Sequence, residues 1–135
     1  MKPAVVLFFV TGAMIFLQLL IGGLRVFGFI DEGTHIGTGI LTFILAIITL
    51  VAAALTKPRY RPAISMSVLL VILIFVQGLL GFSFLDANNA IVSNSGGLIF
   101  VHFANALVIY GLAISMAFIA LRWNKITTAI PPKHP

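Results

Sequence analysis

Apolar residues run almost unbroken through four stretches of the chain, approximately Ala4–Phe27, His35–Leu55, Ala63–Phe84 and Leu98–Leu121. Polar residues gather in the intervals between them. A membrane-crossing helix needs about 20 apolar residues, so each stretch is long enough for one span. The intervals are short: "GFIDEGT", "TKPRYRP" and "LDANNAIVSNSGG". The two prolines of the middle interval stop one helix and start the next. Short connections make neighbouring helices antiparallel. The pattern therefore predicts an all-α membrane protein, an up-down-up-down four-helix transmembrane bundle forming one domain over residues 1–135. Residues 122–135 are expected to be a tail that is disordered or lies on the inner surface.

The two halves of the pattern resemble each other. "FLQLLIG" (Phe16–Gly22) and "FVQGLLG" (Phe75–Gly81) share Phe, Gln, Leu and Gly at an offset of 59. "HIGTG" opens the second stretch and "HFANA" lies in the fourth, with His35 and His102 at an offset of 67. The extra residues fall in the last interval, where a longer loop costs little. The bundle is thus expected to consist of two similar helical hairpins, each delivering one histidine.

Composition narrows the class. The chain is 61% hydrophobic and 8% charged, against about a quarter charged in a soluble domain. No soluble catalytic module fits beside four spans. The first stretch is about twice the length of a signal-peptide core, so it is read as a retained span. The net charge of +5 would suggest nucleic acid in a soluble protein, but here the positions indicate a lipid bilayer and no nucleic acid. Lys2, Lys57, Arg59, Arg61, Arg122, Lys125 and Lys133 all fall on one side of the predicted topology, and Asp31, Glu32 and Asp86 on the other. By the positive-inside rule, both termini are expected to be cytoplasmic in a multi-pass cell-membrane protein. Arg25 is the basic residue on the other side. With no cysteine in the chain, thiolate metal sites and iron–sulfur clusters are excluded.

The histidines are the candidate chemistry. The second and fourth spans both run inward. If Asp31 caps one and Asn94 or Ser95 the other, His35 and His102 lie within roughly 10 Å of the outer surface. In such a bundle these helices are diagonal, roughly 11–14 Å apart when neighbouring axes are 8–10 Å apart. Two inward imidazoles on a diagonal can hold one iron from opposite faces of a flat macrocycle. A tetrahedral zinc shell fits less well, with two imidazoles and one acid near enough. Gly22, Gly23, Gly28, Gly78 and Gly81 would open a slot for a flat ring. Phe27, Phe82, Phe100 and Phe103 could wall it, and Arg25 could pair with haem propionates. The plainer readings are a histidine bonded to a neighbour, glycines for close helix packing, lipid-facing phenylalanines and a snorkelling arginine. Gln18 and Gln77 fit a structural role, bonding across helices, and His134 a solvated one.

Taken together, "IGGLRVFG", "EGTH", "QGLLG" and "VHFANAL" resemble, in order and spacing, the first half of the haem A synthase family of respiratory-oxidase assembly. Its members typically have eight spans in two similar four-helix halves. The resemblance covers nearly the whole chain. It implies that His35 and His102 are axial ligands of a haem (haem b, or haem O/A), with Gly22, Gly81 and Arg25 in the binding site. It also implies that Glu32 is catalytic, near the edge where the methyl group of haem O, the substrate, becomes the formyl of haem A. A half-length chain lacks the family's second haem. Association is therefore expected, as a homo-oligomer or with another redox membrane protein. Ile36 stands where an arginine often follows the family's first histidine. The other functions consistent with the residues are a small b-type cytochrome carrying electrons between quinol and an oxidase, and a haem-free accessory membrane subunit. Glu32 would then be only a solvated acid favoured by the helix dipole.

Overall fold

A computed structural model describes residues 2–57, 59–83 and 96–129. Its four helices are α1 (Pro3–Val26), α2 (Glu32–Leu55), α3 (Arg61–Ser83) and α4 (Gly96–Ala129). All four are long and apolar enough to cross a membrane. Each packs on its chain neighbours and α4 closes back onto α1, so α1 faces α3, and α2 faces α4, across the diagonals. The expected antiparallel bundle is the one observed.

Local chemistry sets the helix ends. Pro3 sits in the first turn of α1, where its missing N–H has no helical acceptor to lose. At the other end Gly28 takes a φ of 76°. This lets its N–H reach the Arg25 carbonyl (2.9 Å) and the Phe29 N–H reach the Leu24 carbonyl (3.0 Å), a Schellman closure. Asp31 then caps α2, accepting from the Thr34 N–H at 2.9 Å and the Thr34 hydroxyl at 2.6 Å. This is the cap the sequence suggested, and it starts α2 at Glu32, ahead of the apolar stretch that opens at His35. The caps expected at Asn94 or Ser95 lie outside the described residues, as does His134.

α4 is longer than its apolar stretch. It continues to Ala129, roughly 12 Å beyond Leu121 at 1.5 Å per residue, where a tail was expected. The reason is Trp123, which is buried. Its ring stacks on Tyr60 with centroids 5.8 Å apart, and the Lys2 ammonium lies 5.5 Å from its centroid. Lys2 also donates to the Lys57 carbonyl at 3.0 Å. The start of α1, the α2–α3 connection and the last turns of α4 are thus tied together at one end of the bundle.

That end is the packed one. Small residues let the helices approach closely: Ala4 and Thr11 on α1, Ala46, Thr49 and Ala53 on α2, Ala63 and Ser67 on α3, and Ala113 and Ala120 on α4 are all buried. Thr11 and Thr49 share a buried hydroxyl–hydroxyl bond of 2.7 Å. The outward faces carry exposed Leu, Ile, Val and Phe, as a lipid-facing surface requires.

The internal repeat extends to packing. At the offset of 59, buried Ala4, Phe8 and Thr11 become Ala63, Ser67 and Leu70, all buried. At 67, buried Thr42, Ala46, Thr49 and Ala53 become Ile109, Ala113, Met116 and Ala120, also all buried. The aromatic pairs exchange too: Phe16 meets Tyr110 at 5.7 Å and Phe75 meets Phe43 at 6.2 Å. Two hairpins of one plan pack about an approximate twofold axis along the bundle.

Candidate functional site

Away from the packed end the bundle is hollow. A cavity of about 820 Å³ opens between the four helices, lined mainly by apolar side chains and reached by both His35 and His102. That volume is in the range of about 300–1,000 Å³ typical of cofactor and ligand pockets. Glu32, Arg25, Gln18 and Gln77 also line it, as do Phe27, Phe82, Phe100 and Phe103.

The diagonal placement of α2 and α4 sets the imidazoles opposite each other across this space, with ring centroids 6.4 Å apart and planes at 68°. With a metal–imidazole bond of about 2.0–2.1 Å and a ring radius of roughly 1.1 Å, two imidazoles on opposite sides of one ion have centroids about 6.3 Å apart. The centroid separation of the pair therefore matches that of two imidazoles on opposite sides of one ion. Among the described residues no three His, Asp or Glu side chains converge as a metal-ion site.

Two of the glycines do more than open a slot. A Cβ at Gly22 would lie 3.0 Å from His35 Cε1, and one at Gly81 would lie 3.2 Å from His102 Cε1. Each of these glycines gives the imidazole of the adjoining helix room beside its Cε1 edge. Gly23 and Gly78 line the cavity with nothing within 4 Å of an added Cβ, and they leave the open space.

Polar partners orient the rings. The Gln18 amide nitrogen lies 3.1 Å from His35 Nδ1 and donates to the His35 carbonyl at 2.9 Å, while its oxygen accepts from the Thr38 hydroxyl at 2.6 Å. Gln18 thereby holds the His35 ring through Nδ1, and Nε2 is the ring nitrogen it does not engage. In the second hairpin Asn105, the counterpart of Thr38, donates to Gln77 Oε1 at 2.8 Å. Outer partners such as Gln18 tune ligand basicity in metal sites. The two glutamines were expected to bond across helices, and they do so, Gln18 to His35 and Gln77 to Asn105.

Arg25 and Glu32 form an ion pair with each other at 2.7 Å, both side chains about 15% exposed. The Schellman turn and the Asp31 cap bring the last turn of α1 beside the first turn of α2. The arginine expected to pair with haem propionates and the glutamate expected near the reacting edge are one unit at the cavity wall. No family model, curated protein or solved structure matches the chain.

Proposed function

We propose that the chain is a haem-binding membrane protein of haem A synthase type, holding its haem between His35 and His102. The observation that carries this reading is the centroid separation of 6.4 Å across a largely apolar cavity. Gln18, an outer partner of His35 at Nδ1, supports it further.

In the proposed reaction the haem is the substrate, haem O, and the histidines hold it without taking part in bond making. The methyl group that becomes a formyl lies at the ring's edge and must lose protons on the way. Glu32, at the cavity wall, would accept them, a role suited to a carboxylate within reach of the reacting edge. Arg25 would hold Glu32 in place and meet an acidic group of the haem. The formyl oxygen would come from water, and the electrons released would pass to a partner acting as oxidant, either a second copy of the chain or another redox membrane protein.

One observation favours the second reading, a b-type cytochrome: Glu32 is already engaged by Arg25, as a purely structural acid would be. The Glu32→Gln variant separates the two. For the enzyme, haem binding and the low-spin spectrum persist while conversion of haem O to haem A stops, as chromatography of extracted haem would show. For the carrier, electron transfer stays within a few-fold and the wild type yields no haem A. His35→Ala or His102→Ala should abolish or shift the low-spin spectrum and His134→Ala should leave it unchanged. A wild-type spectrum in both of the first two variants would refute haem ligation by the pair.

A further inference from the structure

The cavity walls obey the approximate twofold in most of their chemistry. His35 pairs with His102, Gly22 with Gly81 and Gln18 with Gln77. A haem held between the histidines would lie across the α2–α4 diagonal, so its plane would run from α1 to α3. A half-turn about the bundle axis would then leave the iron and both axial bonds in place. It would exchange the edge facing α1 with the edge facing α3. On symmetric walls the two orientations would be equally stable.

The walls are not symmetric everywhere. Glu32 has Ile99 as its counterpart, and both line the cavity. Arg25 corresponds to Phe84 in the sequence, a position outside the described residues. One hairpin thus sets an ion pair of 2.7 Å where the other has an apolar position. The free space is also offset: Leu19 and Gly23 on α1 correspond to Gly78 and Phe82 on α3, and all four line the cavity. Deeper in, the room is on the α3 side; nearer the mouth, it is on the α1 side.

We infer that these breaks in the twofold, chiefly the Arg25–Glu32 pair, select one of the two rotational orientations of a haem in the cavity and so decide which edge of the ring meets Glu32. Arg25 and Glu32 are specificity-determining residues in this sense. The inference rests on the haem reading above. It goes further because ligation by two equivalent histidines says nothing about which edge faces which helix.

The test uses the full-length apoprotein in detergent, reconstituted with iron protoporphyrin IX, whose two halves differ only in the order of methyl and vinyl groups. In the low-spin ferric form, hyperfine-shifted haem methyl resonances count the orientations directly. The wild type is expected to equilibrate to one dominant set, at least about tenfold over the other. Arg25→Phe combined with Glu32→Ile installs the second hairpin's residues on the first, and the ratio should move toward one. Glu32→Gln, a milder change, should move it in the same direction. Two equally populated sets in the wild type would overturn the inference while leaving haem binding intact. One unchanged dominant set in both variants would overturn the role of the ion pair. Absence of any low-spin haem signal would overturn the haem reading, and this inference with it.

Discussion

Two residues illustrate how little space separates a working site from a blocked one. An alanine methyl at Gly22 would stand 3.0 Å from His35 Cε1, closer than such contacts normally come. The imidazole would have to turn away from the cavity axis, taking its bond with Gln18 along. Gly22→Ala is therefore expected to weaken haem binding by about 10- to 100-fold, the effect typical of losing outer-shell support, measured by titration in the Soret band. Gly81→Ala, with 3.2 Å available, should cost less. Gly12→Ala is the control. It meets nothing within 4 Å, so the spectrum should be unchanged, and the helix should gain up to about 0.5–1 kcal/mol. Asp31 gives a pH signature. The Thr34 hydroxyl, and after it the Thr34 N–H, hold its carboxyl below the ordinary value of 3.8. Its contribution to stability is therefore fully present above that ordinary value and is lost as pH falls through the lower folded value. Comparing wild type with Asp31→Ala, the Tm difference should be constant between about pH 5 and 8 and close only below about pH 4.

At the scale of elements, α4 departs most from its apolar pattern. Hydropathy ends it near Leu121, yet it runs to Ala129 because Trp123 finds Tyr60 and Lys2 at the packed end. Trp123 is 2% exposed, so Trp123→Ala removes a fully packed ring and should cost about 3–5 kcal/mol, read from unfolding in detergent. Loosening should begin in the last turns of α4 and the α2–α3 connection, which hydrogen exchange would locate. The α1–α2 hairpin was partly legible: Asp31 caps α2 as expected, whereas Gly28, expected to help open the slot, is the positive-φ residue that closes α1 and does not line the cavity. The Arg25–Glu32 pair is a by-product of that turn.

For the whole molecule, four spans put both termini at the same end, and the Lys2–Lys57–Trp123 cluster is where they meet the α2–α3 connection. The basic residues concentrate at this end along the chain, so the positive-inside rule predicts that it is the cytoplasmic one. A cysteine placed at Asn89 should react with an impermeant reagent from outside intact cells, and one at Arg59 only after permeabilisation. The reverse pattern would place the cavity mouth on the cytoplasmic side.

The spans, their antiparallel order, the two-hairpin repeat and the prominence of His35 and His102 were all determined by the sequence. Each depends on run length, turn chemistry or offset, which are properties of neighbouring residues or of simple comparison along the chain. Tertiary structure decided what needs distances between helices far apart in sequence. It set the two imidazoles 6.4 Å apart across a cavity, and it turned Gly22 and Gly81 from a presumed slot into seats for those rings. It joined Arg25 to Glu32 and buried Trp123 in what composition marked as a tail. An apolar pattern states which residues leave water, but in a membrane almost every face does so. Only the packing of one helix on another selects the small, polar and aromatic positions that meet.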